Sequence, residues 1–339
     1  MKKIGLVLGI AALLFAAFNP TSANAQSNVA SYYVRANGND SNNGTTEATP
    51  FKTLAKAVTE ASKTNVKKIT VIGTLDGQTV IKDSGTAEIL ITGKANASAS
   101  EKAVLTVAPM ADIGVNTIQI TGNSNIKLEY ITVNTGSYLA LIYADGNEVK
   151  LTLGKNAVIS GNGKDAKGMA NGGGGILMLK GTLIMMDNST ITNCLANVGG
   201  GIVVATGGKM FMQDNAVILN NYAKNSGGGI AVLGSNLEIK NNAIIKGNTT
   251  AEDSFESGGG GIYCEGGTMK LLDNSSVTQN TAPHGGGITM RMSSMQTADG
   301  VTIESSGVYE SRQVSVNTAT TPKPFFEGKM PHNIYVMNY

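Results

Sequence analysis

The residues that could do chemistry in this chain are few. Asp187 and Asp214 hold the same place in consecutive copies of a repeat, and Asp273 holds it again further on. If the copies stack as strands ~4.8 Å apart, the first two carboxylates lie close enough to share a calcium ion, which binds through oxygen. The plainer alternative gives each Asp a local bond within its own turn, and that is the reading the spacing favours. Calcium is therefore a weak candidate, and no other cofactor has a site. Glu265 and Arg291 share a column in neighbouring copies, which predicts a surface ion pair rather than an acid/base couple. His284 and His332 stand apart and cannot make a zinc site alone.

Glycoside cleavage needs two carboxylates facing one sugar, and no outward column of the repeat supplies them. Glu88, Glu101 and Glu129 lie where the repeat is irregular and have no assignable register. The glycine runs return at every copy and lead into strands, whereas a dinucleotide motif needs one strand-to-helix turn. No catalytic residue is assigned.

The element that must position these residues is the repeat itself. Gly-Gly-Gly-Ile ends at Ile176, Ile202, Ile230, Ile262 and Ile288, in steps of 26, 28, 32 and 26 residues. A second phrase keeps the same rhythm at Asp187-Asn188, Asp214-Asn215, Asn241-Asn242 and Asp273-Asn274. A period of this length means a solenoid, in which each unit buries its apolar face by stacking on its neighbours. Between the phrases, apolar residues alternate with mixed ones: Leu183, Met210, Leu237 and Met269 form one column, Met185, Met212, Ile239 and Leu271 the next, and Ile191, Ile218, Ile245 and Val277 a third. Alternation with period two marks strands facing a shared interior. Three strands per coil make a three-sided tube. Asn215, in the middle of the second phrase's stack, is expected to carry a side-chain ladder, with a further Asn column at Asn221, Asn248 and Asn280. Met in the columns fills space.

One outward face breaks the pattern. Leu177, Leu179, Val203, Ala205, Ala231 and Leu233 are apolar where a solvated face should be polar. Such a stripe marks a partner or a cover. Leu177, Leu179, Val203 and Leu233 are the candidate partner contacts. The cover, if the chain supplies one, is the loop at 162–171 or the tail, whose Pro322, Pro324 and Pro331 suit a segment running over a surface rather than a regular strand.

Taken in order, residues 1–25 read as an export signal: Lys2 and Lys3, an apolar run over 4–18, and Ala23-Asn24-Ala25 as a cleavage site. Residues 26–67 are an opener with a capping helix. Its loop at 37–44, rich in Asn, Asp and Gly, reads as consecutive turns, and the helix is expected over 50–62 with Thr49 as its cap and Pro50 in the first position. Residues 68–306 are the solenoid, regular over 172–303, and 307–339 a tail or cap. Nothing after the signal approaches the length of apolar chain that spans a bilayer. A formal charge of +2 argues against nucleic acid as a partner. Cys194 and Cys264 fall about three coils apart on different sides, too far to bridge.

Gly-Gly-Gly-Ile alternating with turn Asn resembles the repeats of polymorphic outer-membrane-protein passenger domains, and more broadly the right-handed parallel β-helices of the pectate-lyase superfold. Tyr33-Val34, Gly38-Asn39-Asp40 and the run from Pro50 to Leu54 are similar to the start of many secreted β-helix proteins. The chain departs from the passenger repeats in lacking the Phe of their Phe-x-x-Asn motif. The resemblance implies an all-β, single-stranded, right-handed parallel β-helix with three strands per coil. With the signal, it leads us to expect a protein at the cell surface, outer membrane or outside the cell, with the periplasm as a further compartment. There it would act as a binding or adhesion module toward a host or matrix protein or a glycan. A carbohydrate-active enzyme and a structural envelope protein are the alternatives.

Overall fold

The computed structural model describes residues 31–107, 114–134, 139–161, 170–252, 257–291 and 293–297, and the backbone of strands Thr302–Ser306 and Ile334–Met337. The chain coils into a parallel β-solenoid with three sheets along its length. The sheet that carries the Gly-Ile phrase runs from Thr79–Lys82 through Ile142–Asp145, Ile176–Met178 and Ile262–Glu265 to Ile288–Arg291. The Met/Leu columns form the second sheet and the Ala/Ser-x-Ile strands the third.

Registers follow the phrases. Ile142, Ile176, Ile202, Ile230, Ile262 and Ile288 are partners in one unbroken column, and all are fully buried. Met178, Val204, Val232, Cys264 and Met290 form the next inward column. Both Cys194 and Cys264 are buried free thiols, Cys264 as a core residue of that column.

Two kinds of corner make the coil close. Asp187, Asp214, Asn241 and Asp273 all turn with φ of 56–57°, the left-handed region that Asp and Asn enter more readily than other side chains. At the Gly-rich corner, a Cβ on Gly228 would collide with the carbonyl oxygen of Gly260 in the next coil, so backbone packs on backbone where no side chain fits.

The ladder sits in a different column from the one expected to dominate. Asn221, Asn248 and Asn280 are almost completely buried. Each side-chain oxygen accepts the backbone N–H of the coil before, from Cys194, Asn221 and Asn248 respectively, at 2.9 Å. Each side-chain amide donates to an inner-strand carbonyl, Ile191, Ile218 or Ile245. Asn215, Asn242 and Asn274 instead face solvent and meet only at 3.5 Å. The reason is depth: the first of the two columns lies on the outside of the turn and the second points into it.

The entry to the tube also differs from expectation. Ser31–Arg35 pairs with Lys68–Ile72 and is the first strand of the second sheet. The helix spans Leu54–Lys63, with Thr53 as its N-cap accepting from Lys56 N–H, four residues later than Pro50 suggested. Asp40 explains the delay. Its carboxylate accepts from the backbone N–H groups of Lys52 and Thr53 and from the Thr53 hydroxyl, at 2.8–2.9 Å. Residues 50–53 are thereby held extended, Phe51 bridging to Val34 and packing on Tyr32 with ring centroids 5.5 Å apart. The helix buries Leu54, Ala57, Val58 and Ala61 against the first coil. Strands Thr74–Asp76 and Thr79–Lys82, too short to show in the sequence, complete that coil. Tyr130, with φ of 49°, separates strands Ser124–Glu129 and Ile131–Asn134.

At the far end the tail departs from expectation as well. Ile334–Met337 is a regular parallel strand on Ile288–Arg291, with Ile334 opposite Ile288 and Val336 opposite Met290. Its register continues the columns of that sheet. The signal at 1–25, most of the 162–171 loop and the prolines of the tail lie outside the described residues; Ala170–Gly172 is a short strand on Leu195–Val198.

Candidate binding face on the Gly-Ile sheet

The spacing favours a bond within each turn, but the corner residues bond from coil to coil instead. The backbone N–H of Asp187 donates to Asp214 Oδ2 at 3.1 Å, that of Asp214 to Asn241 Oδ1 at 3.2 Å, and that of Asn241 to Asp273 Oδ2 at 2.9 Å. These oxygens serve the turn of the neighbouring coil. Among the described residues no three His, Cys, Asp or Glu side chains gather as a metal site would require.

The outward stripe is narrower than its sequence implies. Leu177, Leu179 and Leu233 are partly exposed, but Val203 is only 4% exposed and Ala231 is sealed. Short strands that the repeat does not announce, Leu195–Val198 and Tyr222–Ser226, follow the Asn column and join the third sheet. They bring the Gly corners back beside the stripe: a Cβ at Gly199 would run into Val203 Cγ2, and one at Gly172 would press close to it. Part of the cover therefore comes from each coil's own return path.

Polar groups frame the stripe at both ends. Tyr143 stands one rung before Leu177 in the same column, paired with it, and its hydroxyl donates to Asp145 at 3.3 Å. Tyr263 stands four rungs further along, ~19 Å away at the usual strand spacing. Its hydroxyl donates to Glu265 Oε2 at 3.1 Å, and Arg291 Nη1 lies 3.5 Å from Glu265 Oε1 in the adjacent coil. Glu265 and Arg291 form the expected ion pair. Burial, and after it the Glu265 carboxylate, push the Tyr263 hydroxyl up to about 12.

Around this cluster is a groove of about 340 Å³. Leu233, Tyr263, Glu265 and Arg291 come from the sheet, and Val198, Asn225, Ser226, Glu252 and Ser257 from the return segments. Glu252 is the residue that column reasoning missed. It follows the strand Thr249–Thr250 in the 32-residue step, outside every column, so only the unusual step length could have drawn notice. Its backbone is fixed by its N–H to Lys224 O and by the Ser257 hydroxyl, which donates to its carbonyl at 2.6 Å. A second hollow, about 410 Å³, lies at the Asn column beside Asn193, Asn220 and Tyr222, but the buried amides beneath it already serve the ladder.

No curated protein and no solved structure matches the chain. Residues 116–303, more than half of its length, match the family described as a right handed beta helix region. With three parallel sheets wound in register around one apolar interior, the protein belongs to the right-handed β-helix family.

Proposed function

We propose that this β-helix is an exported binding module, acting at the cell surface or outside the cell, which holds a host or matrix protein or a glycan against the outer face of its Gly-Ile sheet. The observation that carries the reading is the composition of that face: an aliphatic strip at Leu177, Leu179 and Leu233, ended by Tyr143 with Asp145 and by Tyr263 with Glu265 and Arg291. An apolar centre with polar ends is how recognition surfaces are built, and rigid strands hold it without an ordering cost on binding. The signal-like residues 1–25 support export.

The test is an array of glycans and matrix proteins probed with the intact protein. Binding is expected, and Leu177→Lys and Leu233→Lys should each abolish it while leaving the melting temperature in place. Binding indifferent to both substitutions would remove this face from the reading. A second reading, cleavage of a bound glycan, draws on Glu252 and Glu265 lining one groove. Steady release of new reducing or unsaturated ends from polysaccharides would establish it.

A further inference from the structure

The groove at the Tyr263 end has a chemistry of its own. Arg291 presents donors only and the Glu265 carboxylate acceptors only, and the two are held side by side, with Tyr263 fixing the second carboxylate oxygen. A sugar hydroxyl is both donor and acceptor, so neighbouring hydroxyls can bond to the two groups at once. Because the pair is neutral in sum, it calls for no charged ligand. Asn225 lines the same groove, and its side-chain oxygen meets no donor. Leu233 and Val198 supply the apolar wall that the C–H face of a sugar ring needs. The volume, about 340 Å³, is near the small end of ligand pockets and suits one ring of a chain that continues along the strip.

We infer that this groove is a subsite for one uncharged sugar unit of a glycan, bonded between Arg291 and Glu265 and guarded by Glu252 at the rim. The inference rests on the binding reading above and narrows it to one ligand class. Glu252 decides which glycans are admitted. It is exposed at the groove's edge and, with the ion pair neutral, leaves the groove one negative charge in excess. A uronate or sulfated sugar would enter against that charge.

The experiment is calorimetric titration of the intact protein with mannohexaose, xylohexaose, cellohexaose and hexagalacturonate. At least one neutral hexasaccharide should bind, with hexagalacturonate about tenfold or more weaker. Arg291→Met should weaken the neutral ligand by about tenfold or more. Glu252→Lys, at an exposed position where folding is not at stake, should raise hexagalacturonate affinity relative to the neutral hexasaccharide by about tenfold or more. Hexagalacturonate binding as tightly as the neutral sugars, or a preference unchanged in Glu252→Lys, would overturn the inference. If no neutral sugar binds while array binding remains sensitive to Leu177→Lys, the subsite is refuted and the face stands. If the sugars bind and depend on Arg291 while Leu177→Lys and Leu233→Lys change nothing on the array, the subsite stands and the wider face is refuted.

Discussion

Asn248 Oδ1 receives two hydrogen bonds from Asn221, one from its backbone N–H and one from its side-chain amide, each 2.9 Å long. Asn248 in turn donates to Ile218 O and to Asn280 Oδ1. The same arrangement thus links three coils through groups that water does not reach. Asn248→Ala should destabilise the fold by about 1–3 kcal/mol for each buried group it leaves without a partner. Asn215→Ala, in the solvent-facing column, should cost well under 1 kcal/mol by the usual surface standard. Denaturant melts of the two variants compare them directly, and equal midpoints would contradict the burial argument.

Cys194 occupies the first place of the buried ladder without being able to extend it. Its own N–H bonds to Asn221 Oδ1, but its side chain has no amide to donate to the coil before as the Asn side chains do. Since Asn221 reaches Ile191 O and Ile191 pairs with Ile159, an Asn at 194 would reach Ile159 O in the same way. Cys194→Asn is expected to raise stability by about 0.5–1.5 kcal/mol. In the native protein burial pushes the Cys194 thiol up to about 12, so a thiol reagent at mildly alkaline pH should leave it unmodified until the chain unfolds.

The Tyr263 phenol gives the molecule an alkaline limit. Its folded value of about 12 stands above the usual 10, so folding favours the neutral form. The stability this contributes is complete below pH 10 and is lost as pH rises through about 12. A spectroscopic titration should find a late-ionising component that is lost in Tyr263→Phe and shifted down in Glu265→Gln.

Columns and core were legible because two signals coincide in each coil: period-two alternation and a glycine run at a fixed place. Ile176 and Met210 could be assigned an inward direction from spacing alone. The start of the helix could not, since it depends on Asp40, twelve residues before Lys52 and joined to it only by the fold. The depth of Asn215 against Asn221 was equally hidden, because both belong to Asn columns of the same period and differ only in which side of the turn they occupy. At the candidate site, Glu265 and Arg291 were legible as an ion pair, while Glu252 was not, having no column to reveal its direction.

Asp40 offers a direct test of how the entry is closed. Asp40→Ala removes three acceptor contacts at the helix start and should cost about 1–2 kcal/mol, the range for losing a helix cap. Amide exchange should quicken first over Leu54–Lys63, leaving the Asn-ladder coils protected. Uniform acceleration along the solenoid would mean that the helix is not an independent closure.

The coils differ in length, yet their sheets do not slip. Ala223 pairs with Thr250 and Ser226 with Gly258, so two residues intervene in one coil and seven in the next. Ile244 still meets Ser276 and Ile262 still meets Ile288 in register. This bend works as a graft point, where chain can be added or removed while the scaffold keeps its frame. Because the bend borders the groove, a lineage or a designer could recut the recognition surface there by changing one loop, with every rung of the stack left as it is.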